Sequence, residues 1–332
     1  RKRSGIPATP TDIIYPYEAG YSVQKQNLNS DQVSGIDGMV RWNDRVNDFN
    51  YFVGVNLTLA RQKTINNYGE VFLNGWDQYR WAQTNRWSNV KNGAVWMWET
   101  IGVFQTQEEI DNYPVNIDGA NNVNLRPGDL IFKDVNGDGL IDDYDKRPLG
   151  YAATDYDWDS GNANKNPLLS MGINLGFEYK GIDFAADFAG GFMNTFIGDW
   201  HVKYGIGTDQ MGYVYNVIDS WQHEDIFDTK SPWKRGKFPA VRSNNPSIRD
   251  WNDFYAKEIN YLRLRNLVVG YTLPIKWTKK ALIQKLRVYF EGSNLLCWDS
   301  LNDFGFDPEI SSVTGFDYPQ HKVYTVGVNV TF

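Results

Sequence analysis

The chain has 332 residues, of which 42% are hydrophobic, and it carries a formal net charge of −7. This acidic balance argues against a nucleic-acid partner, because no basic stripe is present to displace counterions from phosphates. The single cysteine, Cys297, excludes an internal disulfide framework and a cysteine-rich zinc cluster.

Aromatic residues are unusually frequent, with 13 Trp, 20 Tyr and 18 Phe. This richness suits sugar-binding surfaces, β-rich folds or the aromatic girdles of membrane proteins. No run of about 18 apolar residues occurs, so the sequence predicts no membrane-spanning helix. A spanning β-barrel would contain no such run, and that class stays open.

The first alternating segments predict a hairpin. Residues 36–43 and 51–60 each alternate between apolar side chains and polar or small ones, as half-buried strands do. A turn at Asn43–Asp48 is expected to join them, which leaves one apolar face. A further partial strand is expected to end at Ser4.

An aperiodic stretch of about a hundred residues follows, and it contains an acidic loop with the spacing of a calcium site. Set against the calcium loop of an EF-hand, its candidate ligands at positions 1, 3, 5, 7, 9 and 12 are Asp134, Asn136, Asp138, the Leu140 carbonyl, Asp142 and Asp145. Gly139 at position 6 permits the sharp turn. Asp145 replaces the longer Glu that normally supplies two oxygens, so a slightly altered or weaker cage is expected.

The flanks of this loop decide between three interpretations. Residues 129–133 have the pattern of a strand, and Pro148–Gly150 closes the segment, so the two helices of a regulatory EF-hand are not predicted. We therefore favour a structural Ca²⁺ site over an acidic turn that binds nothing. A calcium switch ranks third, because no helix pair is present to be opened.

Five tryptophans lie in the same aperiodic stretch, together with a short helical candidate at Thr106–Asn112. The candidate substrate or lid contacts are Trp76, Trp81, Trp87, Trp96 and Trp98. Tryptophan rings stack on sugars and anchor protein interfaces. They could equally form the internal core of a long loop, and the sequence does not separate these roles.

Strand alternation returns after residue 166 and runs to the end of the chain. Residues 169–179 and 182–192 flank the turn Lys180–Gly181, and their polar face carries Gly, Ala, Asn and acids rather than Thr and Lys. The apolar face is therefore predicted to be the outside. Each strand is about as long as a tilted strand that crosses a bilayer.

The next strands are predicted at Tyr261–Leu273 and around Leu286–Phe290. Arg263 and Arg265 share the parity of the apolar residues, so either a bulge shifts the register or the arginines lie above the hydrocarbon band. The last strand, Tyr324–Phe332, alternates regularly and ends on an aromatic residue. Such a terminus resembles the signal by which outer-membrane barrels are recognised for assembly.

Connection lengths fall into two classes. Short turns alternate with long segments at about 62–167, 195–259 and 298–320, and this alternation describes outer-membrane barrels, with about eight strands here. A helical candidate near Tyr213–Trp221 lies within the second long segment.

Several ordered blocks then carry a family resemblance. They are Phe104–Asp111, Pro127–Asp129 before the acidic loop, Tyr179–Gly181, Tyr261–Asn266, Gly270–Pro274, Gly292–Leu295 and the terminal strand. This succession resembles the C-terminal part of SusC/RagA-type TonB-dependent outer-membrane transporters of Bacteroidetes.

The resemblance implies an all-β chain forming about the last eight strands of a transmembrane antiparallel barrel of about 22 strands, with long extracellular loops. It implies a non-enzymatic, energy-coupled importer of oligosaccharides or peptides in the bacterial outer membrane, surrounded by lipid. Its implied partners are a SusD-like surface lipoprotein and the TonB complex, the latter reached through a plug domain and TonB box that this chain is expected to lack.

A second hypothesis is a secreted, calcium-stabilised β-sandwich that binds or cleaves glycans. Catalysis has little support, because the three histidines lack metal-ligand spacing and no pair of carboxylates has the spacing of a glycosidase. Strand length, the small residues of the polar face and the terminal Phe332 favour the transporter.

Overall fold

The protein is described by a computed structural model at residues 1–8, 18, 20, 24–66, 75–76, 95–149, 155–157, 162–164, 167–197, 218–240, 242, 245–248, 252–301, 307–309 and 320–332. Its strands are β1 (Lys2–Ala8), β2 (Gln26–Val46), β3 (Phe49–Asn66), β4 (Val95–Met97), β5 (Thr100–Val103), β6 (Leu130–Phe132), β7 (Arg147–Leu149), β8 (Asp155–Asp157), β9 (Asn162–Asn164), β10 (Leu169–Tyr179), β11 (Ile182–Ile197), β12 (Gln222–His223), β13 (Trp233–Lys234), β14 (Ala256–Thr272), β15 (Lys285–Asp299) and β16 (Val323–Thr331).

Helices are short. One α-helix spans Gln107–Asp111, as predicted, with Thr106 as its N-cap, and another spans Ile275–Thr278. Single 3-10 turns lie at Asp143–Asp145, Pro246–Ile248, Asp253–Tyr255 and Lys279–Ala281. Among the described residues, no helix has the length and apolar character needed to cross a membrane. The helix expected near Tyr213–Trp221 falls mostly outside the described residues, and the described part, 218–221, is not helical.

Eight strands form one antiparallel sheet in the order β1-β2-β3-β10-β11-β14-β15-β16. Every strand therefore pairs with the sheet strands that precede and follow it along the chain. The predicted number of about eight strands is confirmed. The remaining strands form two-stranded ribbons within the long connections.

The short connections lie at one end of this sheet. Val46 pairs with Phe49, so Asn47–Asp48 is a two-residue turn, and Lys180–Gly181 is another. Lys180 and Gly181 both have positive φ, 46° and 86°, as a type I′ hairpin turn requires. The third connection at this end, between β14 and β15, contains the helix Ile275–Thr278.

The register places apolar residues of successive strands side by side on one face. One row, from β3 to β16, is Tyr51, Phe177, Phe184, Val269, Phe290 and Val326. A second row is Phe49, Tyr179, Ile182, Tyr271, Val288 and Val328. Many of these side chains are exposed, and Val326 is 75% accessible. The prediction of an outward apolar face agrees with this arrangement.

Glycines on the opposite face are covered by side chains of neighbouring strands. Tyr289 lies across Gly327, and a Cβ at Gly327 would overlap its ring. The ion pair of Arg287 with Asp183 lies across Gly270 in the same way. Long polar side chains therefore lie flat along the backbone on this face.

A bulge at Arg265 explains why Arg263 falls at a position of the alternation that apolar residues otherwise occupy. In the pairing of β11 with β14, Asp187 faces Asn266 and Phe188 faces Leu264, so Arg265 is the extra residue. The shift places Arg263 on the polar face. The first of the two interpretations that the sequence left open, a bulge, is therefore correct.

Several strands are longer than predicted. β2 begins at Gln26, where its first residues pair with β1, and β3 continues to Asn66, which pairs with Ser30 of β2. Alternation cannot reveal such strands because both of their faces are polar. Consequently the long connections span 67–168, 198–255 and 300–322 rather than 62–167, 195–259 and 298–320.

The main buried core lies in the long connections instead of under the sheet. Its members are Trp98, Phe104, Ile110, Ile117, Leu125, Leu130, Ile131, Phe132, Ile141, Phe238, Tyr255, Ile259 and Leu301. Residues from all three long connections and from the adjoining ends of the strands thus pack together. We call this group the loop core.

Candidate functional site

The acidic loop leaves the loop core through β6 and ends in the 3-10 turn Asp143–Asp145. The predicted entering strand is confirmed at Leu130–Phe132, and no α-helix flanks the loop on either side. Gly137 and Gly139 have φ values of 77° and 80°, a left-handed conformation that glycine adopts without steric cost.

The first half of the loop gathers side-chain oxygens around its own backbone. The Asp134 carboxylate accepts hydrogen bonds from the amides of Gly137 at 2.6 Å and Gly139 at 2.8 Å. Asn136 accepts from the Asp138 amide, and its side-chain NH₂ donates to the Asp138 carboxylate at 2.8 Å. Three predicted ligands are therefore adjacent and partly or fully exposed.

The second half is tied down by Asp145, which is fully buried. One of its carboxylate oxygens accepts from the amides of Val135 and Asn136, and the other accepts from the amide of Asp142 at 2.9 Å. Asp142 caps the 3-10 turn by accepting from the Tyr144 amide. The Asp145 carboxylate thus joins the two ends of the loop through hydrogen bonds.

These contacts decide how well the loop fits a cation. Asp134, Asn136 and Asp138 supply neighbouring hard oxygens, as Ca²⁺ requires. Asp145 fits less well, because both of its oxygens already hold backbone amides. Within the described part of the chain, no group of three or more His, Cys, Asp or Glu side chains is arranged to hold a metal ion.

The loop is fixed to the loop core at two points. The Trp98 indole nitrogen donates to the Asp142 carbonyl at 2.7 Å. Asn116 donates its amide to the Gly139 carbonyl and accepts from the amide of Ile141, a buried core residue. The acidic loop is therefore held against the loop core by hydrogen bonds from both of these residues.

The candidate tryptophans occupy different environments. Trp98 is 3% accessible and belongs to the loop core, which favours the packing role. Trp76 is half-buried, with its ring 5.5 Å from that of Tyr144 in the acidic loop. The backbone of Trp96 lies in β4, whereas Trp81 and Trp87 lie outside the described residues.

A buried ion pair joins the first two long connections. Arg242 donates to both oxygens of the Asp129 carboxylate at 2.8 and 2.6 Å, and Asp129 is 0% accessible. Burial raises the pKa of Asp129 above its ordinary value even though the Arg242 charge acts to lower it. Burial also raises the pKa of the enclosed Tyr255 phenol, and the charge of Asp129 adds to this effect.

Further hydrogen bonds join the first two long connections. The Leu130 amide donates to the Ser247 hydroxyl at 2.8 Å, and the Thr100 amide donates to the Asp253 carboxylate at 2.8 Å. Gly128, at φ 93°, lies directly against the Trp221 side chain. No local pattern in the sequence predicts these pairings, because the partners lie more than a hundred residues apart.

A second charged cluster lies where the third long connection meets the polar face of β14. Arg263 donates to both carboxylate oxygens of Asp307, and Glu309 bridges Arg263 and Arg265. Gln320 donates to Glu309 at 3.1 Å. A polar cavity of about 320 Å³, lined in part by Tyr261, Arg265 and Glu309, opens beside this cluster.

Comparison with known proteins gives consistent matches. No family model matches the chain. The chain is 25% identical to TonB-dependent receptor P3 and 24% identical to TonB-dependent receptor P26, both from Formosa agariphila, with each match covering 97% of this chain and 31% of the relative. The chain therefore spans about a third of the length of the curated relatives that it matches.

Solved structures have a similar fold. The RagAB peptide transporter matches with a TM-score of 0.59 and 22% identity, over 97% of this chain and 31% of that chain. The RagAB peptide importer in its open-open state matches with a TM-score of 0.63 and 19% identity, over 100% of this chain and 32% of that chain. The matched relatives are receptors and transporters, and RagA is SusC-like. The resemblance predicted from the sequence, to the C-terminal part of a TonB-dependent outer-membrane transporter of the SusC/RagA type, is therefore confirmed.

Proposed function

We propose that this chain forms about the last eight strands of a 22-stranded transmembrane barrel belonging to an energy-coupled importer of oligosaccharides or peptides. The observation that carries the proposal is the eight-stranded sheet with one exposed apolar face. A sheet whose outer face meets lipid needs apolar side chains at every second position of each strand. The rows that contain Val269, Phe290 and Val326 satisfy this requirement across successive strands.

The polar face supports the same proposal. It carries glycines and ion-paired polar groups such as Asp183 with Arg287, which suit the water-filled interior of a large barrel. The long connections are then extracellular, because outer-membrane barrels place short turns on the periplasmic side. The loop core would be the part of the chain that faces the medium.

The partners follow from the same assignment. A SusD-like surface lipoprotein would act as the lid over the long connections. Of the two candidate tryptophans whose side chains are described, Trp76 is more exposed than Trp98 and is the better candidate for such a contact. Coupling to TonB belongs to parts of the transporter outside this chain. RagAB is a peptide transporter, and the similarity to it favours peptides as the substrate class.

The alternative function, a secreted glycan-binding or glycan-cleaving β-sandwich, requires a second sheet packed on the first. Across the described ranges, the other sheets are ribbons of two strands, and the apolar side chains of the large sheet remain exposed. The sandwich is therefore the weaker candidate.

Spin labels on β16 test the proposal in the whole transporter. In a Cys297→Ser background, nitroxides at Val328→Cys and Asn329→Cys would occupy neighbouring positions on opposite faces of one strand. In liposomes, we expect the label at 328 to be more accessible to dissolved oxygen than to a water-soluble nickel chelate. The label at 329 should be more accessible to the chelate. Equal access of the chelate to both positions would refute a lipid-facing sheet.

We also propose that residues 134–145 bind a structural Ca²⁺ ion, held by Asp134, Asn136, Asp138, the Leu140 carbonyl, Asp142 and Asp145. Its role would be to brace the loop against the loop core, to which Asp142 is bonded through Trp98. Terbium luminescence sensitised by this indole, together with protease resistance with and without chelator, tests the site.

The matched variants are Asp134→Ala with Asp138→Ala, and Asp143→Ala as control. Asp143 carries the same charge but pairs with Lys146 and is not a candidate ligand. We expect the double variant to lose terbium binding and to become protease-sensitive in this loop, while the control keeps both properties. Chelator-independent protease resistance of the unmodified protein would count against the site.

A further inference from the structure

The connection between β14 and β15 differs in charge from the rest of the chain. It carries three lysines, Lys276, Lys279 and Lys280, and no Asp or Glu occurs anywhere from residue 259 to residue 290. The chain as a whole has a net charge of −7. All three lysines are exposed, and none of them forms an ion pair with a residue in the described part of the chain.

The same connection exposes three large apolar side chains. Ile275 is 58% accessible, Trp277 is 67% accessible and Leu282 is 83% accessible. Thr278, by contrast, is buried. The turn therefore has an inner side and an outer side, and the outer side mixes apolar groups with ammonium groups.

This turn has a defined backbone. The α-helix Ile275–Thr278 continues directly into a 3-10 turn, and the Ile283 amide donates to the Thr278 carbonyl at 3.3 Å. The Leu273 amide donates to the Leu286 carbonyl at 2.9 Å, and the Gln284 amide donates to the Thr331 carbonyl at 2.8 Å. The exposed side chains are thus presented by a segment fixed to both β15 and β16.

The apolar face of the sheet continues into this turn. Tyr271 at the end of β14, Val288 near the start of β15 and Phe332 after β16 are all exposed at the same end of the sheet. The other two connections at this end are the two-residue turns Asn47–Asp48 and Lys180–Gly181. Neither has a comparable surface.

We propose that residues 273–284 are a membrane-interface anchor whose lysines bind the phosphates of anionic phospholipid headgroups. Trp277, Ile275 and Leu282 would enter the boundary between headgroups and acyl chains, where amphipathic segments with Trp and Lys bind. The inference rests on the proposed function, because it requires the apolar face to meet lipid. It adds a lipid-binding site to a connection that would otherwise serve only to join two strands.

Two observations favour a lipid surface as the partner of this turn: the positive charge of its lysines, and the continuity of its apolar side chains with the apolar face of the sheet. A cluster of lysines beside a membrane attracts anionic lipid, and each ammonium near the surface changes binding by about fivefold. The neighbouring apolar groups belong to the surface that continues onto the sheet. A soluble polyanion would satisfy the lysines and leave Trp277 and Leu282 in water.

The first test measures lipid retention by the whole transporter, using native mass spectrometry after addition of phosphatidylglycerol or phosphatidylcholine. We expect the triple variant Lys276→Gln, Lys279→Gln and Lys280→Gln to lose at least tenfold in phosphatidylglycerol retention and to leave phosphatidylcholine retention unchanged. The matched control replaces three exposed lysines at the other end of the sheet, Lys230, Lys234 and Lys322, with Gln. Equal losses in both triple variants, or displacement of the lipid by inorganic phosphate at matched charge, would overturn the proposal.

The second test places a spin label at Ala281→Cys in the Cys297→Ser background, alongside the label at Val328→Cys. In vesicles containing equal parts of phosphatidylcholine and phosphatidylglycerol, we expect the label at 281 to be shielded from the nickel chelate, and the triple variant to restore access. If the label at 281 is in water while the label at 328 is in lipid, the anchor is wrong and the proposed function stands. If both labels are in water, the anchor and the proposed function are both wrong.

Discussion

Replacing Arg242 with Leu should destabilise the loop core by isolating a buried charge. The guanidinium makes two bonds to the Asp129 carboxylate, at 2.8 and 2.6 Å, and one to the Asn124 carbonyl at 2.8 Å. Asp129 has no accessible surface, and without Arg242 its carboxylate would keep, among the described residues, only the hydrogen bond from the Arg126 amide. Removing one partner of such a pair costs about 3–5 kcal/mol, which is a large part of the stability of a typical domain.

The loss should depend on pH with a defined sign. Burial already raises the pKa of Asp129, and Arg242 opposes this increase, so the variant should have a still higher pKa in the folded state. A carboxyl group whose pKa is raised on folding binds more protons when folded. The variant should therefore be most stable below the ordinary pKa of an aspartate, and should lose stability as the pH rises towards the raised folded value.

Hydrogen exchange and limited proteolysis of the long connections would measure this effect in the whole transporter. Asp129→Asn and the double variant Asp129→Asn with Arg242→Leu complete a double-mutant cycle, and we expect a coupling of about 1–3 kcal/mol. If the long connections of the Arg242→Leu variant were as protected from hydrogen exchange and proteolysis at neutral pH as those of the unmodified protein, the reasoning would be refuted. A loss that does not diminish at acidic pH would also refute it, because the isolated charge would not be its cause.

Three further variants test other contacts. Gly128→Ala should open the long connections to protease at a lower temperature, because the position has a φ of 93° and a Cβ would overlap Trp221; a proteolysis pattern like that of the unmodified protein would contradict this. Asp118→Asn should cost about 1–3 kcal/mol and remove an acid-sensitive step from the unfolding profile. Burial acts to raise the pKa of Asp118, but three backbone amides outweigh it and lower the pKa, so its contribution is lost as pH falls through that lowered value; an unchanged profile would exclude this role. Gly270→Ala should displace the Arg287 ion pair and cost about 1–3 kcal/mol in thermal unfolding; an unchanged unfolding temperature would contradict this.

The sequence predicted the sheet strands that have one apolar and one polar face. Residues 169–179 form β10 with the predicted boundaries, and β16 differs by one residue at each end. Alternation is a local property, so it can be detected without knowing the partner strand. The polar half of β2 escaped detection because only its pairing with β1 and β3 identifies it as a strand.

The loop core could not be predicted in the same way. Asp129 and Arg242 have no sequence relation that marks them as partners, and the apolar residues around them follow no helical or strand period. For the acidic loop, the spacing predicted Asp134, Asn136 and Asp138 as candidate metal ligands, and these side chains lie next to one another. It could not show that Asp145 would hold the loop's own amides, because that depends on how the backbone closes.

Under the proposed function, the separation of the loop core from the sheet adapts one polypeptide to two solvents. In the loop core, Phe104, Leu130 and Ile141 exclude water from one another, as in a globular domain. On the sheet, apolar side chains such as Val326 point outward and would be stabilised by hydrocarbon. Urea in intact membranes should therefore unfold the loop core first, whereas a short-chain detergent should weaken the sheet and leave the buried contact of Asp129 with Arg242 in place.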